Sequence, residues 1–595
     1  MDAFMHALDL INVVLWHDWV LYVVLGTGVL FTIWSGFSQY VALTHGVAAV
    51  RGVYDRREDP GAINHFQALS TALSATVGLG NIGGVALAIA LGGPGAVFWM
   101  WMVGLFGMSL KLTEVTLSML YRNTDDPDNP HGGPMWVADK GFAAWGLPAL
   151  GKLIGVVFVV TLIISAITGG NMFQAWNVAE ITASYFPSVP KPAVGIILAM
   201  LVGLVIIGGI KRIGAVAGRL VPFMCVFYML AAIYVVFAEV RQVPEMLRLI
   251  FVCAFSPADV DKAFLGGTAG YAFLWGMKRA LFSSEAGQGS APIAHSAAKT
   301  DQPVREGIVS GLEPFVDTLV VCTLTTLVIL LSGAWNRPAE TVYPDGAALA
   351  VVPAAGAGDG NVWTLQTPPL PAKSREALQT LRSTAPGWRS GETIFMILHA
   401  DRQSNTGRDL HRLGGTVVAK EDGSFEAAWG TIRSTQKPRF NEDADGSPDY
   451  GVYGDYVGAA LTGHAFDRVV PGLGMWLVTI ACWLFALSTI ISWSYYGEQG
   501  MIYILGQRSV LPYKIGYCAL VIVATAGLMR TDAELDAFTA LGTGVMLWAN
   551  IPIMLIFGPI AMRAYHDYVR RLRRGEFRPG PRPPLTDVIE GKDLR

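Results

Sequence analysis

The chain has 595 residues, of which 52% are hydrophobic and only 15% charged, with a mean hydropathy of +0.43. A soluble domain carries about a quarter charged residues, so most of this chain is read as lying in lipid. A net charge of -3 excludes the basic excess of a nucleic-acid binder, and the charges inform through their positions instead.

The stretch Met1 to Asp18 has neither a basic region nor a small-residue cleavage pattern, and no cleaved signal peptide is expected. Apolar runs able to cross ~30 Å of hydrocarbon, about 20 residues each, are predicted at 19–43, 66–91, 95–121, 151–184, 193–210, 217–238, 264–294, 306–333, 472–505, 511–530 and 536–562. Lipid offers no partners to backbone polar groups, so these eleven spans must be helices or closed barrel strands, and their length leaves only helices. The predicted fold class is therefore an all-α polytopic membrane protein. Cys225, Cys322, Cys482 and Cys518 fall inside apolar runs and Cys253 in a short connection, which yields no disulfide framework and no thiolate metal site.

Alternate short loops carry most of the Lys and Arg: Arg51, Arg56 and Arg57; Arg122, Lys140 and Lys152; Lys211, Arg212 and Arg219; Lys299 and Arg305; Arg508 and Lys514. The tail adds Arg570, Arg571, Arg573 and Arg574, and the opposite loops are sparser. The positive-inside rule then predicts an outer N-terminus and a cytoplasmic C-terminus in a bacterial-type inner membrane. The organisation expected is an extra N-terminal helix (1–45), a first five-helix unit (64–240), a second (264–333 with 472–562), an outer soluble insertion (334–471) and a basic tail (563–595).

That insertion is polar and rich in Pro, Gly and Asp. Strand-like runs at Thr393 to His399, Gly415 to Lys420 and Ser424 to Thr431, around the turn Glu421-Asp422-Gly423, predict a small β domain. It contains His399, Asp401, His411 and His464 but no HExxH, GxSxG or Cys-rich spacing. An enzyme or sensor carried on a transporter-like core is the alternative reading of this insertion. Asn441, Asp443, Asp445 and Gly446 begin like an EF-hand loop, but Val452 stands where a bidentate Glu is required, which favours an acidic turn.

Two spans are interrupted near their middles by small and polar residues. The second contains Ser74-Ala75-Thr76-Val77-Gly78-Leu79-Gly80-Asn81-Ile82-Gly83-Gly84 (74–84), and the seventh contains Phe282-Ser283-Ser284-Glu285-Ala286-Gly287-Gln288-Gly289-Ser290 (282–290). With the first span set aside, spans two to six and seven to eleven form two five-helix units, each opening with its broken helix. An odd unit length turns the copies in opposite orientations, the pattern of an inverted-repeat transporter with its site at the breaks. Unwinding frees carbonyls for a cation, while the next half-helix presents N–H groups to an anion. A zwitterion and Na⁺ suit such a site. Close helix packing is the other use of such glycines, but their correspondence in the two halves favours the binding site.

Nearby polar residues share helix faces: Asn171, Gln174 and Asn177 at i+3, Ser488 with Ser492, and Thr489 with Trp493 at i+4. Hydroxyl and carbonyl oxygens suit Na⁺, amides suit a zwitterion's ends, and an indole walls a small pocket; interhelical hydrogen bonding is the alternative. Glu285 is open to two readings, a functional carboxylate or a structural partner for Lys278 or Arg279. Lys111 and Glu114 read as a local i,i+3 ion pair near the cytoplasmic end of the third span.

The stretches Ala72 to Arg122 (opening ALSATVGLGNIGG), Ala280 to Val304 (opening ALFSSEAGQGSAP) and Leu484 to Glu498 (LFALSTIISWSYYGE) resemble the alanine or glycine:cation symporter family, also called the sodium:alanine symporters. The resemblance covers nearly all predicted spans. It implies a LeuT-like fold of five plus five inverted helices after one extra helix, and Na⁺-driven uptake of a small neutral amino acid, with no cofactor beyond the coupling ion. By position it places Thr76, Gly80, Asn81, Gln174, Ser283 and Trp493 at the substrate, and the carbonyls of Ser74 and Val77 with the hydroxyls of Ser488 and Thr489 at sodium. Three departures stand out: Ser284 and Gln288 in the second motif, where the family usually reads FSNEAGLGSAP, Trp176 after Ala175, and the large insertion.

Overall fold

In the computed structural model, which describes residues 2–56, 58–186, 188–256, 263–264, 269–354, 361–374, 387–402, 409–442, 448–456, 458–527 and 532–577, the chain is predominantly helical. Among the described residues seven helices are long and apolar enough to cross a membrane: Leu10–Trp34, Ala96–Tyr121, Pro148–Ala183, Gly209–Ala238, Pro303–Leu331, Leu473–Leu505 and Ala537–Arg573. His65–Thr76 and Gly80–Gly92, bent by 52° at their junction, make an eighth if counted as one span. Lys191–Ile206, Ala269–Ser284 and Val510–Thr525, each of 16 residues, pack among them.

The outer surface of this bundle is apolar. On Gly209–Ala238, Phe223, Leu230, Tyr234 and Phe237 are exposed while Met224, Tyr228, Ala232 and Val235 are buried. Large apolar side chains on the outside of many helices would aggregate in water and are stable against lipid.

Several elements differ from the sequence expectation. The run predicted at 19–43 divides after Trp34, because Gly36 and Phe37 take φ of 65° and 62° and turn the chain before Ser38. The helix Asp2–Leu15, whose end forms the start of the Leu10–Trp34 span, leads into it, and this segment is tied to the last long helix: Asn12 Nδ2 donates to Ala537 O (2.8 Å) and Trp16 Nε1 to Ala540 O (2.9 Å). Cys253 lies buried within the helix Val243–Phe255 rather than in a connection, and all five cysteines are free thiols. Among the described residues four helical segments contain π-helical turns, at Ala42–Gly46, Gly80–Gly84, Thr168–Met172 and Phe315–Cys322. Such turns free backbone groups and cluster at functional sites; here two of them fall at Gly-rich stretches.

The described residues of 341–454 carry ten short strands, in a seven-stranded and a three-stranded sheet. Thr393–His399 pairs antiparallel with Leu410–Ala419, which pairs in turn with Phe425–Trp429 across the turn at Gly423. Thr341–Val342 pairs with Gly451–Gly454, so the chain enters and leaves this unit side by side. Residues 443–447, which hold most of the EF-hand-like stretch, lie outside the described residues.

The strand Gly451–Gly454 is followed closely by the helix Ala459–Val469, which packs on the first break: Thr462 Oγ1 donates to Ile82 O (3.0 Å), and a Cβ on Gly83 would meet Ala459 N at 2.9 Å. His464 of this helix stacks on Tyr456 with ring centroids 4.1 Å apart.

Candidate functional site

The helix His65–Thr76 starts on a capping box, in which Asn64 Oδ1 accepts from Gln67 N (2.8 Å) and Gln67 Oε1 accepts from Asn64 N (3.2 Å). It ends at Val77, whose ψ of 88° leaves the helical region. Asn81 then closes the break: its Oδ1 accepts from Gly78 N (2.8 Å), and its Nδ2 donates to Ser283 Oγ (2.8 Å) and Asp317 O (3.2 Å). One amide thus ties the first break to the second and to the helix Pro303–Leu331.

The second break follows Ser284. Glu285 sits at φ 52°, left-handed space that non-glycine residues rarely adopt, and Gly287 and Gly289 follow at φ 82°. The freed backbone is held from several sides. Gln288 Nε2 donates to Leu281 O (2.8 Å), Ser290 Oγ donates to Glu285 Oε2, Asn550 Nδ2 donates to Gly287 O (2.9 Å), and Glu114 Oε2 accepts from Gly289 N (3.2 Å).

Between the breaks lies a cavity of about 30 Å³ open to the centre of a water molecule, room for two or so waters or a solute of a few heavy atoms. Thr76, Gly80, Gln174 and Trp493 line it; Asn81 and Ser283 stand behind its wall, bonded to each other. Gln174 Nε2 donates to Gly169 O (3.0 Å) and its Oε1 is buried without a partner, 3.8 Å from where a Cβ on Gly78 would lie. Its two sequence companions serve packing: Asn171 Nδ2 donates to Tyr517 O (2.7 Å) and Asn177 Nδ2 to Phe173 O (2.8 Å). Trp493 is pressed against Gly170, where a Cβ would lie 2.3 Å from its Cγ, so glycine is required there.

Beside the cavity, Ser74 O accepts from Ser488 Oγ (3.3 Å) and Thr489 Oγ1 (3.1 Å), and a Cβ on Gly78 would meet Thr489 Oγ1 at 2.8 Å. Carbonyl and hydroxyl oxygens therefore converge at the end of the helix His65–Thr76, next to Val77. This all-oxygen donor set fits a hard monovalent cation.

Glu285 also lines the cavity, while Arg279, one of its two expected structural partners, lies over the Trp275 ring at 5.4 Å. Phe282, at the start of the second break, also lines the cavity; Ser165, Thr539 and Thr543 complete much of the wall and were not identified from sequence. Isolated Ser and Thr residues in apolar helices carry no local sign that they face a cavity.

Lys111 and Glu114 are not an isolated pair. The Lys111 Nζ lies 3.1 Å from Glu313 Oε2 and 3.9 Å from Glu114 Oε1; Glu313 Oε1 meets His295 Nε2 at 2.6 Å, and His295 Nδ1 meets Glu306 Oε1 at 2.5 Å. Glu306 Oε2 contacts His65 Nδ1, whose other nitrogen lies 3.8 Å from Asp55. Apart from Asp55, every member is nearly inaccessible. The physical reason for the larger network is that one buried ammonium satisfies few carboxylate oxygens, so the remaining ones recruit imidazoles. A neutral imidazole has a single N–H, so His295 between two carboxylates requires an imidazolium or a protonated acid. The string runs from the connection carrying Arg51 and Arg56 to Glu114, which holds the second break.

Apolar helices facing outward, and a cavity where two helices break with Ser, Thr, Gln and Glu side chains in its wall, define a multi-pass membrane protein of the transporter class. Comparison with known proteins specifies it: the profile of the Sodium:alanine symporter family matches residues 1–355 and 449–579, and the chain belongs to that family. It is 33% identical over 524 residues to the sodium/alanine symporter AgcS of Methanococcus maripaludis, covering 88% of each chain. It is 29% identical over 569 residues to the putative sodium/proton-dependent alanine carrier protein YrbD of Bacillus subtilis, covering 95% of this chain and 92% of that one. The probable sodium/glutamine symporter GlnT of the same organism is 35% identical over 334 residues, 56% of this chain and 67% of its own. The family match omits 356–448, which lies within the β-rich segment.

Proposed function

We propose that the protein is a sodium-coupled symporter that imports a small neutral amino acid, alanine or glycine, by alternating access. The observation that carries this reading is the cavity between two broken helices, flanked by the oxygens of Ser74, Ser488 and Thr489. In this reading Na⁺ sits among the carbonyls of Ser74 and Val77 and the two hydroxyls. The substrate lies against Thr76, Gly80 and Gln174 under the wall of Trp493. Asn81 and Ser283 position both breaks, and the ammonium group finds acceptors in Glu285 and the free oxygen of Gln174. The helices assemble as eleven spans, an extra one followed by two inverted five-helix units in a LeuT-like arrangement. The N-terminus and the β-rich insertion are outside, and the C-terminus is cytoplasmic.

The energetics are sufficient. One Na⁺ entering down 100 mV and a tenfold gradient releases about 3.7 kcal/mol, enough to concentrate a neutral solute several hundredfold. The test is alanine and glycine uptake into proteoliposomes with an inward Na⁺ gradient. Accumulation is expected to collapse when K⁺ replaces Na⁺ or an ionophore dissipates the gradient; uptake indifferent to both treatments refutes sodium coupling.

A further inference from the structure

Gln288 folds back across the second break and donates from Nε2 to Leu281 O at 2.8 Å. A backbone carbonyl can only accept, so the amide nitrogen must face it and Oε1 is turned elsewhere. That oxygen is buried and has no hydrogen-bond partner, although Gln288 lines the cavity. Gln174 Oε1 and Ser165 Oγ, on two other cavity-lining residues, are unpartnered as well. Buried acceptors left unpaired are destabilising and signal a water or ligand at the site.

The acceptors outnumber what alanine can use. An ammonium brings three N–H groups, and the two oxygens of Glu285 with the free oxygen of Gln174 provide for all three. The methyl of alanine and the hydrogen of glycine have nothing to donate to Gln288. The cavity is small, at about 30 Å³, so a substrate group that reaches Gln288 must be small as well.

We propose that Gln288 is a specificity residue whose Oε1 accepts a hydrogen bond from a side-chain hydroxyl of the substrate, so that the protein prefers serine to alanine and glycine. The inference rests on the amino acid symport reading. A hydroxyl donor satisfies the orphaned oxygen, whereas an apolar group of equal size buries it unpaired, a difference that sites built for a hydroxyl use to discriminate strongly.

The deciding experiment is competition against sodium-driven uptake of labelled alanine by the full-length protein in proteoliposomes, using L-serine, L-alanine, glycine and L-2-aminobutyrate. The last matches serine in shape but has a methyl in place of the hydroxyl. Serine is expected to compete about tenfold better than 2-aminobutyrate and better than alanine. In Gln288→Leu that advantage should fall to about twofold or less; Gln288→Met, of similar length without the acceptor, serves if the Leu variant does not reconstitute. Serine no better than 2-aminobutyrate in the wild type overturns the proposal, as does an undiminished serine advantage in both variants. Absence of sodium-driven uptake for all four amino acids overturns the symport reading and this inference with it.

Discussion

Lys111 is the ammonium group that balances a string of buried carboxylates, and Lys111→Met isolates its contribution. Methionine occupies similar volume without charge. The substitution removes the cation 3.1 Å from Glu313 and 3.9 Å from Glu114, leaving both carboxylates buried, with His295 beside Glu313. Breaking a buried ion pair from one side costs about 3–5 kcal/mol, because the remaining charge is uncompensated. Replacing both partners is far milder. Lys111→Met/Glu313→Gln removes one charge of each sign and keeps an oxygen to accept from His295 Nε2, so it should recover most of the loss, roughly 3 kcal/mol. A multi-span protein does not unfold in two states, so the comparison is one of order. Wild type, single and double variants are heated in one detergent and the surviving monodisperse fraction is read by size-exclusion chromatography. The single variant should fail at a clearly lower temperature than the other two. A single variant as stable as wild type, or a double variant no better than the single, would show that the string does not depend on this cation and refute the charge-balance argument.

Three further outcomes are expected. Ser488→Ala/Thr489→Ala removes two hydroxyls that meet Ser74 O, and should raise the Na⁺ concentration for half-maximal uptake about tenfold or more; an unchanged sodium curve would sink the assignment. Trp493→Ala opens the wall opposite Gly170 and should admit valine or leucine while alanine loses affinity; competition by a glycine-to-leucine series with the same rank order and spacing in both proteins would rule out a pocket role. Replacing residues 343–450 by a short Gly/Ser turn should preserve folding and uptake, because Thr341–Val342 and Gly451–Gly454 are already adjacent. Extending the deletion through Asp467 removes the helix on Ile82 and Gly83 and should abolish uptake; if the shorter deletion alone abolishes it, the β-rich segment takes part in transport.

The sequence by itself determined the membrane class and the positions where two helices break. Hydrophobic length is a local property, and a run such as Gly80-Asn81-Ile82-Gly83-Gly84 inside apolar residues announces an interruption whatever surrounds it. The shared face of Thr489 and Trp493 was equally legible, because helix geometry fixes it. Only the tertiary structure decided which polar groups meet. Asn81 with Ser283 joins residues 202 apart, and Ser488 with Ser74 joins residues 414 apart. Lys111 took Glu313 over its helix neighbour Glu114, and the helix Ala459–Val469 settled on the first break. Ser165, Thr539 and Thr543 became cavity wall only because their helices abut there. Such contacts depend on how whole helices pack, because a buried polar group that its own helix leaves unsatisfied is stable only beside a partner from another segment. That pairing leaves no trace in local periodicity.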